Sequence, residues 1–131
     1  MTRNDKALMI IGAVLLSTGA MLSAYGFHGL ADSLTDADRL SWRWAVQMQT
    51  YHSFALFLVA LLNMQLGPSM LRKFAGWLFV FGMVVFCGSV YVTKLGGPAS
   101  FGEIAPIGGS SFMIAWLTVA LSIGLTRAET G

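Results

Sequence analysis

Residues 74–93 read FAGWLFVFGMVVFCGSVYVT, twenty consecutive positions without a charged side chain. A helix rises about 1.5 Å per residue, so this stretch makes a rod of about 30 Å, the thickness of a bilayer's hydrocarbon. Residues 7–27, 45–66 and 107–126 have the same character, and the four stretches occupy most of the 131-residue chain. Inside lipid the backbone must satisfy its own hydrogen bonds, so each stretch is predicted to be a helix. The expected fold is an all-α membrane protein: one domain over 1–131, with four transmembrane helices arranged as two hairpins.

Composition points the same way. Hydrophobic residues make up 56% of the chain and charged residues 11%, with a mean hydropathy of +0.70. An ordinary soluble domain carries about a quarter charged residues. The net charge of +2 comes from basic residues placed singly or in pairs. That leaves neither a nucleic-acid stripe nor a polybasic cluster, and the implied partner is the lipid bilayer rather than nucleic acid. The single cysteine, Cys87, lies inside the third stretch and reads as a small core residue.

The first stretch follows Arg3 and Lys6 and contains small residues, as a signal peptide would. Its apolar run is too long for a signal core, however. Gly12, Gly19 and Gly26 also recur every seven residues, with Ser23 four after Gly19. Such spacing makes a seam along one helix face, where another helix can approach closely. The segment is therefore read as a retained span.

Arg3, Lys6, Arg72, Lys73 and Arg127 flank one side of this four-span arrangement, against Arg39, Arg43 and Lys94 on the other. That bias predicts cytoplasmic N and C termini. The outer connections are 28–44 and 94–106, and Gly67 and Pro68 mark a short inner turn over 67–73. Thr35 and Asp38 have the spacing of a helix N-cap, so the second helix is predicted to start before its apolar stretch. Trp42, Trp44 and Tyr25 read as anchors at the membrane–water interface.

Polar residues within the spans must face protein, water or a ligand. Gln49, His52 and Ser53 fall at i, i+3 and i+4, on one face of the second helix, which should point into the bundle. His52 is expected to be a neutral ring with one nitrogen donating and the other accepting a hydrogen bond. His28 closes the first span beside Gly29, which could end that helix in a left-handed conformation. Gly108 and Gly109 open the fourth span just after Pro106, a pattern open to either close helix approach or contact with an anion. Ser111, Ala115, Thr118 and Ser122 make a small-residue face on the fourth span, as Gly82, Ser89 and Thr93 do on the third.

No motif names a reaction. The spans contain no Asp or Glu, which removes a carboxylate proton relay. Cys87 or Ser89 beside His52 is the only conceivable nucleophile–base set. Haem ligation by His28 and His52 would need both rings at one depth, whereas the helix model separates them by about 10 Å. No cofactor, metal or catalytic residue is predicted.

Four blocks, Gly26–Leu30, Gln49–Leu56, Phe86–Tyr91 and Ala105–Gly109, together resemble the YgdD family, also called domain of unknown function 423. That family is itself similar to the transmembrane protein 256 group of mitochondria. The resemblance spans all four helices and implies a small multi-pass protein of the inner membrane, mitochondrial in a eukaryote, with no established activity. Two roles fit the residues. In one, the protein is an assembly or interaction module that packs against itself or another membrane complex. In the other, His28, Gln49, His52, Ser53, Ser89, Tyr91, Lys94, Gly108 and Gly109 line an outward-facing pocket for a small polar or quinone-like ligand, or a short proton path.

Overall fold

Thr2 begins the first helix by a reciprocal cap. Its hydroxyl accepts from the Asp5 backbone N–H at 3.1 Å, and the Asp5 carboxylate accepts from the Thr2 N–H at 2.9 Å. The computed structural model describes residues 1–128. These form α1 (Arg3–Ala24), α2 (Asp36–Leu66), α3 (Met70–Lys94) and α4 (Ala105–Gly124). A π-helical turn, Tyr25–Gly29, extends α1, and a 3₁₀ segment, Ala99–Ile104, leads into α4. All four helices are long and apolar enough to cross a membrane.

The predicted cap at Thr35 is present, with its hydroxyl accepting from the Asp38 N–H at 3.2 Å. At 31 residues, α2 is about 46 Å long, more than the hydrocarbon requires, so its first turns stand outside. Gly67 ends α2 with φ +82°, a left-handed conformation that suits glycine, and Pro68 behind it cannot continue the helix.

Two expectations at the end of α1 fail for a common reason. Gly29 does not take a left-handed conformation; among the described residues the positive-φ glycines are Gly67 and Gly96. The helix instead widens into the π turn, with the Leu30 N–H donating to the Tyr25 carbonyl at 3.0 Å. Trp42 is no interface anchor either, being only 3% exposed. Its indole N–H donates to the Leu22 carbonyl at 2.8 Å, and its ring fills the space a Cβ at Gly26 would need. Buried indoles require such a partner, and the turn of α1 supplies it. Trp44 and Tyr25 remain about half exposed, as anchors would be.

The helices pack in chain order. α2 and α3 form the central pair, α1 lies mainly on α2, and α4 lies on α3. Leu8, Leu56, Val59, Phe79, Met83 and Phe112 are among the residues of the shared core. The glycine seam of α1 does face α2: Phe57 and the Ser53 carbonyl crowd Gly12, Gln49 lies over Gly19, and Trp42 covers Gly26. α3 and α4 approach still more closely, since a Cβ at Gly108 would stand 2.5 Å from the Phe86 backbone nitrogen and 2.9 Å from the Gly82 carbonyl oxygen. On α4, Ser111, Ala115 and Ser122 are buried as that close packing requires.

Candidate functional site

Gln49 joins three helices. Its amide nitrogen donates to the Leu15 carbonyl at 2.8 Å and the Thr18 hydroxyl at 3.1 Å on α1, and its oxygen accepts from the Tyr91 hydroxyl on α3 at 2.8 Å. Ser53, one turn further, donates to the Gln49 carbonyl at 2.6 Å. His52 points toward α4, where its ring lies flat on Phe112 with centroids 3.7 Å apart. Nδ1 faces the Met48 carbonyl at 2.7 Å, so it carries the proton, and Nε2 accepts from the Trp116 indole N–H at 3.2 Å. This is the neutral donor–acceptor ring. Both nitrogens are engaged within the protein, which leaves none for a ligand.

The nine predicted pocket residues fall into separate settings. Gln49, Ser53 and Tyr91 form a connected set whose hydrogen bonds close within the protein, while His52 is engaged separately by Met48 and Trp116. Ser89 donates to the Phe86 carbonyl at 2.8 Å, and Cys87 lies against the Ala45 carbonyl at 3.2 Å, so neither is turned to His52 as a nucleophile would be. Lys94 pairs with Asp38 at 2.7 Å, fastening α3 to the start of α2. His28 is exposed in the π turn, with only its ring edge on Phe27, and stands apart from His52. Gly108 and Gly109 lie inside α4, which begins at Ala105. The N–H groups that a helix start leaves open belong to earlier residues, and the packing on Phe86 explains Gly108 without a ligand.

A second polar network, not foreseen from sequence, closes the end of the bundle that carries the N terminus. Asp5, Asn63 and Arg72 are each no more than 6% exposed. The Asn63 amide donates to the Asp5 carboxylate at 2.9 Å, and its oxygen accepts from Arg72 Nε at 2.9 Å. Arg72 Nη2 donates to the Gly67 carbonyl at 2.6 Å, which caps the end of α2. Asp5 and Arg72 look like ordinary flanking charges in sequence. The available signals were the Thr2–Asp5 capping spacing and a lone asparagine near the end of an apolar span. Among the described residues, no buried side-chain nitrogen or oxygen lacks a partner.

The opposite end is open by contrast. Between the last turn of α1 and the first turns of α2 lies a groove of about 570 Å³. Ser23, Gly26 and Phe27 form one wall, and Arg39, Trp42 and Arg43 form the other. None of the nine predicted residues lines it. In sequence, Arg39 and Arg43 bear only on the orientation of the chain.

The sequence pattern of a family described as a protein of unknown function (DUF423) matches residues 22–109. The chain is also similar to the UPF0382 membrane protein YwdK of Bacillus subtilis, with 34% identity over 117 residues covering 89% of this chain and 95% of that one. A UPF0382 membrane protein of Staphylococcus epidermidis is 36% identical over 118 residues, covering 89% of this chain and 94% of its own length. No solved structure matches.

Proposed function

The chain belongs to the DUF423 family of membrane proteins, and from that premise we propose that it is an assembly module of the cell inner membrane, with both termini cytoplasmic and the exposed face of α1 packing against a further transmembrane helix. One observation carries this reading. Ala13, Ser17, Ala20 and Ala24 are all exposed and fall at i, i+4, i+7 and i+11, a continuous stripe of small side chains on the side of α1 that no other helix covers. In lipid, helices associate through such stripes because backbones can approach closely.

The closed hydrogen bonding around Gln49 and His52 favours this reading over the internal pocket, since those groups already hold the bundle together. The inner-side excess of Arg and Lys supports the orientation. Native mass spectrometry of the protein extracted from its own membrane in mild detergent tests the proposal. The expected result is a species above the 14.1 kDa monomer, containing a second copy or another chain, which reverts to monomer in Ala20→Leu. A monomer in both preparations overturns it.

A further inference from the structure

We propose that the outer groove between α1 and α2 binds the phosphate-bearing headgroup of an anionic membrane lipid, recognised by Arg39 and Arg43. The two arginines are one helical turn apart on α2 and share a face. Both line the groove. Among the described residues the ion pair is Lys94 with Asp38, so Asp32 and Asp36, although near in sequence, form no direct ion pair with either guanidinium. Arg39 is held in place by one Nη2 hydrogen bond to the Ala31 carbonyl. A guanidinium has five donors in a planar fork, so the remainder stay open to the groove and match phosphate oxygens in pairs.

The rest of the groove suits a lipid better than a small soluble anion. Phe27 and Val46 contribute apolar surface above the buried Leu34 and Trp42, and Ser23 and Gln47 contribute hydrogen-bonding groups. A free phosphate would use only the second kind. The depth is also right: Arg43 precedes by two residues the uncharged stretch that starts at Ala45, and Trp44 and Tyr25 lie half exposed nearby. Aromatic and basic side chains of this sort stand at headgroup level. The site is preformed, because the indole bond to Leu22 fixes Trp42 over Gly26 and so sets the floor. Its volume of about 570 Å³ falls within the range of small-molecule sites.

The test uses delipidated full-length protein in detergent, with equal amounts of phosphatidylglycerol and phosphatidylcholine, and native mass spectrometry to count retained lipid. Wild type is expected to retain phosphatidylglycerol in preference. Arg43→Gln should lower that retention about tenfold, Arg43→Lys by less, because the charge remains and the paired donors do not. Lys73→Gln, at the opposite end, should leave it unchanged. Arg43 is exposed, and matching melting curves of the variants will confirm that folding is intact. Equal retention of both lipids, or equal loss in Arg43→Gln and Lys73→Gln, overturns the proposal. Displacement of the lipid by millimolar inorganic phosphate would also overturn it, by showing a site for a soluble anion.

Discussion

The two flanking helices, α1 and α4, are held to the central pair by different means. α4 is fixed by close packing, with Gly108 pressed on the α3 backbone and a polar tie from Trp116 to His52 on α2. Its outward face is largely bulky, with Met113, Leu117 and Leu121 each more than half exposed. α1 shares close packing at Gly12 and Gly26 and adds hydrogen bonds at both ends and in the middle: Asp5 to Asn63, Leu15 and Thr18 to Gln49, and Leu22 to Trp42. Its outward face carries the stripe of alanines and serine beside Ile10, Val14 and Met21, which are each more than half exposed. A bulky apolar face is at home in acyl chains. A small-residue face set on a firmly tied helix suits a second helix instead.

Breaking the ties of α1 should have the largest effect. Asn63→Leu removes the bridge between Asp5 and Arg72 and leaves both charges buried without it, so stability in detergent should fall by about 3–5 kcal/mol, read as a lowered melting temperature. Gly108→Ala on α4 comes next, at about 2–3 kcal/mol, because the new Cβ meets backbone atoms that cannot rotate away. The corresponding Gly19→Ala on α1 should stay below about 1 kcal/mol, since its nearest neighbour is the flexible Gln49 side chain at 3.4 Å. Equal losses at Gly108 and Gly19 would remove the distinction between the two helices.

Smaller changes sharpen the contrast. Trp116→Phe keeps most of the ring but removes the donor to His52 Nε2, and membrane hydrogen bonds of this kind average about 0.6 kcal/mol. Ala20→Leu touches no internal contact and should alter monomer stability by less than about 0.5 kcal/mol. Its effect belongs in the association state, and a large loss of monomer stability there would mean that the stripe is already part of the fold.

The spans were legible in sequence because hydrocarbon thickness dictates their length and lipid forbids unpaired backbone. The seam at Gly12, Gly19 and Gly26 was legible for a similar reason, since helical period alone sets its face. The Thr35 cap is a local rule and also held. What depended on distant partners was not legible. Trp42 looks like a belt residue until Gly26, sixteen positions earlier, leaves room for its ring. Asp5 and Arg72 look like flanking charges until Asn63 comes between them. The expected polar pocket mixes several kinds of position: Gln49, Ser53 and Tyr91 converge but satisfy one another, His52 turns instead to Met48 and Trp116, and His28 stays exposed in the π turn. The groove instead uses Arg39 and Arg43, whose role depends on how α1 ends.

The most direct test of α1 as the association surface is disulfide crosslinking in native membranes, with Cys87→Ser as background and single cysteines at Ala20 or Leu117. A crosslinked product is expected for Ala20→Cys, to a second copy or to another protein, and none for Leu117→Cys at the same oxidant level. Crosslinking equally at both positions, or at Leu117 alone, would contradict it.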